Sequence, residues 1–441
     1  MRFHVKLLVI GSLIGALALV GAVPASGQSG GGKSQATEIG VTAKEIHIAV
    51  VADVDNPFAP GLMQPDVDAV KAAAKYLNKQ GGVAGRKLVV DFYDSKVNPN
   101  EARNAFIKAC TNDFAVVGTA AFLISGVDDL VNCKDQAGNT TGMPDIAAIA
   151  TTNVESCSPV TYPVIGVSID CATLNSSRQT YRVPTGQQSY LLKRYKKLKG
   201  IMLASSDSQA SFDIVKLQGV GIKNVGVDVR DTVGVGGRDP QSAYTPIVQA
   251  MKQNNDNWSY GGLQVEAVIS LRQEAQLQGL TDPKFVWVCP NQCYDPKYVA
   301  AGSAVDNTHV FMSFLPFQET KYNKMLAAFV KYVPKASQSG FGVSGWSATI
   351  AFAEALQNVV KAHGTNAVTR ANLLDALKGM HAFDADGMVG TTDLGKKIGT
   401  PCFVSLYYKA GKYTREFPSK PGTFDCKPSN LTIVESDIVG K

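Results

Sequence analysis

From Glu45 onward, short apolar runs take turns with amphipathic helical stretches, and this alternation restricts the fold of the chain more than any other feature. Ile46–Val51 reads as a strand. Asp66–Lys79 then carries Val67, Val70, Ala74 and Leu77 on one helical face, and Gly81-Gly82 stops it. Lys87–Tyr93 reads as strand, Asn100–Thr111 as helix, Ala115–Val117 and Asp145–Ile149 as strands. A second unit of the same style begins near Pro184. Gln187–Leu198, Gln209–Gly219, Tyr244–Asn254 and Val265–Gln278 read as helices, and Gly200–Ala204, Val225–Val229 and Lys284–Val288 as strands. Thr320–Tyr332 and Ser344–Ala362 are longer helices, and Phe403–Tyr408 with Gly411–Tyr413 reads as a small hairpin. Strands that alternate with helices imply an α/β fold with mostly parallel sheets and helices on both faces.

The start of the chain differs from the rest. Met-Arg-Phe-His-Val-Lys precedes an apolar run from Leu7 to Val23, and small residues follow. Charged start, apolar stretch and small-residue cleavage site read as a signal peptide over residues 1–27, cleaved on export, with 28–37 as a flexible leader. No cysteine lies near the cleavage site, so a lipoprotein anchor is not indicated. Roughly 410 residues remain, too many for one comfortable core, so two domains are expected. The net charge is +6, and Lys193–Lys199 is the one basic cluster. Without a basic stripe carrying interleaved aromatics, nucleic-acid binding is not expected.

All eight cysteines lie after the signal: Cys110, Cys133, Cys157, Cys171, Cys289, Cys293, Cys402 and Cys426. An even count in an exported chain argues for disulfides. Their clustering favours the sequential pairs 110–133, 157–171, 289–293 and 402–426 among the many possible. Zinc is the competing use of cysteine, but there is no Cys-x-x-Cys pair and the five histidines do not sit at ligand spacing near them.

Several stretches, in order, resemble the branched-chain amino-acid (Leu/Ile/Val) binding family of type I periplasmic solute-binding proteins of ABC transporters. They are Ile46-His-Ile-Ala-Val-Val-Ala-Asp53, Asn78-Lys-Gln-Gly-Gly-Val-Ala-Gly-Arg86 and Asp145-Ile-Ala-Ala-Ile-Ala-Thr-Thr152. Tyr260-Gly-Gly262, Gln278-Gly-Leu280 and Tyr294-Asp-Pro296 follow. The Asn-x-x-Gly-Gly-(Ile/Val)-x-Gly-Arg element is the most specific. The resemblance implies two Rossmann-like lobes, each a mostly parallel sheet flanked by helices, joined by three hinge crossovers. By it, lobe one covers 38–182 and 314–384, lobe two 185–313 and 385–441, with Tyr181–Pro184 as the first hinge. Cys110–Cys133 resembles a lobe-one disulfide of family members.

The ligand of such a fold sits beyond the C-terminal strand ends, which selects a set of loops. The first offers Asp53, Asn56 and Phe58, although Asp, Asn and Pro are also ordinary turn residues. The loop after Ala115–Val117 offers Thr119, Ala120 and Phe122. By the resemblance, Thr151 and Thr152 belong to a loop that holds a ligand carboxylate; they could equally cap a helix. Lobe two would add Ser206, Asp207, Phe212 and Tyr260. Trp346 would close the pocket from lobe one or pack in its core. Asn291, after Pro290, stands where the family's amino-acid binders carry a Glu that neutralises the ligand's ammonium. A buried ammonium without an anion is strongly disfavoured, so an ordinary α-amino acid fits this chain poorly.

Gly27-Gln-Ser-Gly-Gly31 and Gly27–Ser34 match Gly-x-Ser-x-Gly and Gly-x4-Gly-Lys-Ser by letter only, since they fall in the Gly/Ser-rich leader and not at a strand-to-helix turn, and there is no His-Glu-x-x-His. No enzyme, cofactor or metal is therefore expected. The resemblance implies an exported, monomeric container for a small organic ligand (amino acid-like, amide or small organic acid), delivered to an ABC permease with its ATPase subunit. A ligand-sensing partner of a signalling receptor is the alternative with the same fold.

Overall fold

A computed structural model describes residues 33–56 and 60–438. The signal-peptide reading and Phe58 lie outside the described residues. The first half runs β1 (Glu45–Ala52), α1 (Gln64–Lys79), β2 (Lys87–Asp94), α2 (Pro99–Asn112), β3 (Ala115–Val117), α3 (Asp128–Val131), β4 (Asp145–Ile146), α4 (Asn153–Ser156) and β5 (Gln179–Pro184). Next come α5 (Gly186–Tyr195), β6 (Lys199–Ser205), α6 (Gln209–Asn224), β7 (Asp228–Val235), α7 (Thr245–Gln253), β8 (Trp258–Gly261), α8 (Val265–Leu277), β9 (Val286–Cys289), α9 (Pro296–Ala300) and β10 (Thr308–Met312). The chain then gives α10 (Lys324–Tyr332), α11 (Gly340–His363), α12 (Arg370–Lys378), β11 (Val404–Lys409), β12 (Lys412–Phe417) and β13 (Leu431–Ser436).

Two sheets carry the fold. One is four-stranded, all parallel, in the order β2-β1-β3-β4; the other is seven-stranded in the order β12-β11-β10-β9-β8-β6-β7. In the second, β6 to β10 run parallel and the β11–β12 hairpin adds antiparallel to β10. β1 is buried along almost its whole length, as a central parallel strand covered on both faces must be. Helix starts follow local chemistry. Asn98 caps α2 by accepting from the Asn100 N–H at 2.9 Å, with Pro99 at the first helical position.

Differences from the sequence reading have local causes. The long helix expected over Thr320–Tyr332 begins only at Lys324, because Asn323 caps it by accepting from the Leu326 N–H at 2.8 Å. The strand expected at Val225–Val229 becomes β7, shifted toward the C-terminus, since Gly226 turns out of α6 at φ +108°. β7 is an edge strand, which explains the polar residues it carries. β4 is shorter than expected: past Ile146 the chain makes separate bridges, such as Ile149 with Ile165. Residues 33–37, expected as loose leader, are fastened: the Gln35 carbonyl accepts from Arg86 Nη2 at 2.8 Å, and Thr37 Oγ1 donates to the Val368 carbonyl at 2.6 Å.

The crossovers between the sheets are paired with other chain. β5 is the first, and it lies antiparallel to β13 along its whole length, Gln179 opposite Ser436 through Pro184 opposite Leu431. The other two run side by side, with Leu315 N–H donating to the Met388 carbonyl at 2.9 Å and Gly390 N–H to the Ser313 carbonyl at 2.7 Å. Disulfides join Cys110 to Cys133, Cys157 to Cys171, Cys289 to Cys293 and Cys402 to Cys426. Among the described residues, no helix is long and apolar enough to cross a membrane.

Candidate functional site

In an open α/β sheet, a crevice opens beyond the strand ends where the strand order reverses. The four-stranded sheet reverses between β1 and β3, and the seven-stranded sheet between β6 and β8. The loops leaving these strands include most of the residues singled out from the sequence.

Asp53 follows β1 and is fully buried. Its Oδ1 accepts from Ser95 Oγ and the Val97 N–H, both at 2.6 Å, and its Oδ2 accepts from the Phe122 N–H at 2.8 Å. The carboxylate clamps three loops together and turns no oxygen outward, so it positions the rim rather than meeting a ligand. Thr119, also fully buried, donates its hydroxyl to Asp145 Oδ1 at 2.6 Å. The Ala120 backbone is spent on Val51 and Asp53. Asn56 is buried, and Phe122 is half-buried against the core.

Thr151 and Thr152 are organised by a residue that the sequence reading passed over. Thr152 caps α4, its Oγ1 accepting from the Glu155 N–H at 3.2 Å, while Glu155 Oε2 accepts from the Thr151 N–H at 3.0 Å. This is a reciprocal capping box, legible as Thr152-Asn-Val-Glu155. Glu155 is buried. Burial, then the nearby Asp145, pushes its pKa to about 8, against the pull of the Thr151 and Thr152 N–H groups. Burial likewise raises Asp145 to about 6, opposed by the Thr119 and Thr161 hydroxyls and by Lys397. Lys397 is in turn pushed down to about 8 by burial.

On the seven-stranded side, Ser206 and Asp207 are exposed, and Asp207 Oδ2 accepts from the Gly237 N–H at 2.6 Å, tying the β6 loop to the β7 loop. Phe212 covers Gly234, where an added Cβ would stand 3.2 Å from its ring. Tyr260 is half-buried beside Trp258, ring centroids 6.3 Å apart, and burial drives its phenol pKa upward. Asn291 is half-buried and lies against the first turn of α11: a Cβ on Gly340 would come within 2.6 Å of its Nδ2.

Trp346 does not close a pocket. It is fully buried, packed on Tyr76 and Phe329 with centroids at 5.4 and 5.7 Å. Only the sequence periodicity was available to place it, and a helix apolar on most sides leaves the facing of one residue open. The glycines beside it matter more. A Cβ on Gly345 would lie 2.5 Å from Asp66 Oδ1, and one on Gly118 3.4 Å from Asp66 Oδ2. Asp66 is buried in the first turn of α1, and neither carboxylate oxygen has a hydrogen-bond partner among the described residues. Burial lifts its pKa well above the ordinary range. Close contacts thus run from Asn291 across Gly340 and along α11 to Gly345, Asp66 and Gly118, joining the loops of both sheets. His47, His309 and His381 pair with Asp91, Glu416 and Asp393, away from these loops.

The two reversal points mark the candidate binding site. The sequence profile of the periplasmic binding protein family matches residues 45–403, and the chain belongs to that family. No curated protein matches it significantly in sequence. Solved structures share the fold. An ABC-transporter substrate-binding protein from Aeropyrum pernix superposes with a TM-score of 0.65 at 13% identity, over 87% of this chain and 97% of its own. A branched-chain amino-acid ABC transporter protein from Thermus thermophilus with bound valine gives 0.64 at 15%, over 88% and 98%. A fatty acid ABC transporter substrate-binding protein from Thermomonospora curvata gives 0.63 at 16%, over 89% and 98%. The family is one of periplasmic binding proteins.

Proposed function

We propose that this chain, exported by residues 1–27, is the solute-binding component of an ABC importer and closes two lobes over a small organic acid or amide. The lobes are 38–182 with 314–384 and 185–313 with 385–441, and a permease with its ATPase takes the ligand. The observation that carries the ligand class is Asn291 against Gly340. On the facing side Asp53 is bonded out, and burial raises Asp66 and Glu155 above the ordinary carboxylate range, which disfavours their serving as an ammonium's anion. Valine in the Thermus protein and fatty acid in the Thermomonospora one show that the fold accepts quite different small ligands.

A thermal-shift screen of the mature chain tests this reading. A ligand at a hundred times its Kd adds about 2.7 kcal/mol to stability by mass action. Amides and organic acids should raise the Tm; a strong shift by Leu, Ile and Val would sink the argument from Asn291. Turnover of a compound that gives no shift would overturn the container reading.

A further inference from the structure

Near the end of the four-stranded sheet opposite to the crevice, three side chains that the loops above do not use stand together. His47 lies early in β1, Asp91 lies in β2, and Asp113 joins α2 to β3. A ring nitrogen of His47 and one oxygen from each carboxylate all lie within 4.8 Å of one another. His47 and Asp91 line an open recess of about 480 Å³ together with Gly40, Thr42, Tyr93 and Asn112.

Asp113 is the unusual member. It is fully buried, and its Oδ2 accepts from the Tyr93 hydroxyl at 3.0 Å. Its Oδ1 accepts from no N–H or O–H in the hydrogen bonds among the described residues. Burial raises its pKa, and the Asp91 carboxylate, which stands beside the group, raises it further. A buried carboxylate oxygen left unpaired is costly, and native proteins seldom keep one without a use. The scaffold around it is fixed. The Asp113 carbonyl accepts from Arg370 Nη2 at 2.6 Å, and the His47 carbonyl accepts from the Phe114 N–H at 2.9 Å. His47 Nδ1 already stands 2.8 Å from Asp91 Oδ2.

We propose that His47, Asp91 and Asp113 bind a divalent transition-metal ion, with the recess leaving its remaining coordination positions to water or an outside ligand. One imidazole nitrogen with two carboxylate oxygens suits ions of the zinc, cobalt or manganese type. The hard ions calcium and magnesium prefer all-oxygen sites. His47 and Asp91 are 44 positions apart in sequence, so no spacing motif announces the site; parallel pairing of β1 with β2 creates it.

The test uses the mature, tag-free chain stripped with EDTA and titrated with Zn²⁺ by calorimetry and with Co²⁺ by visible absorption. One ion per chain is expected. His47→Ala and Asp91→Asn, both at half-exposed side chains and so expected to fold, should each weaken binding at least about tenfold, since even outer-shell partners are worth that much. His381→Ala, which removes the partly exposed His381–Asp393 pair, should leave it unchanged. Absence of saturable binding, or binding that survives both His47→Ala and Asp91→Asn, overturns the proposal.

Discussion

Glu155 shows how much one side chain decides in this molecule. It takes the Thr151 N–H, a donor that the family resemblance would have assigned to a ligand carboxylate. Its pKa near 8 lies above the ordinary value of 4.5, so the native state holds a proton that the unfolded chain has lost. Stability must therefore fall as pH rises from about 4.5 to about 8, and Glu155→Gln should flatten that slope in urea melts taken across the range. A slope unchanged by the substitution would mean that Glu155 is ionised in the folded state. Thr152→Ala removes the cap of α4 and should cost about 1 kcal/mol in the same melts. The capping box was legible in four letters of sequence. That Asp53 is buried and Trp346 is core was not, because a residue's type says what it can bond, while its partners arrive from distant loops.

At the scale of elements, α1 and α11 meet in a close joint. Gly345 leaves no room for a side chain, since a Cβ there would also fall 2.6 Å from the Asp66 backbone oxygen. Gly345→Ala should destabilise by about 1–3 kcal/mol through overpacking, read as a lower denaturation midpoint at unchanged m-value; a neutral result would show that the helices part easily. Asp66→Asn, by contrast, should be close to neutral, because burial already disfavours the charged form. The periodic elements β1, α1, β2, α2, β3, α6 and α8 could be read from the sequence to within a few residues. β10 and α12 were missed. Thr308–Met312 is short and gains its place from two partner strands, β9 and β11. The start of α12 owes its anchoring to Arg370, whose guanidinium donates to the Phe114, Lys134, Cys110 and Asp113 carbonyls. Tertiary contacts of that range leave no mark in a local pattern.

Across the whole molecule, covalent ties and hinges are arranged around the site. Cys157–Cys171 spans the segment between α4 and β5, and Asn153 Nδ2 donates to the hydroxyl of Tyr181 in β5 at 2.8 Å, so the Thr152 loop is tied to the first crossover. Replacing both cysteines by Ser should cost about 3 kcal/mol, the usual value for a loop of this size, and should weaken ligand binding as well, measured by calorimetry. Stability lost with affinity intact would separate the loop from the crossover. The two-sheet α/β plan was legible because strand and helix periods alternate so regularly. The pairing of β5 with β13 was not, since roughly 250 residues separate them and neither reads as a strand alone. That ribbon has a practical consequence. Ile433 lies on β13 with 65% of its surface exposed, on a strand hydrogen-bonded to the first crossover. A fluorophore attached there would ride on the hinge at a distance from the cleft, and the protein would become its own optical sensor for whatever it captures.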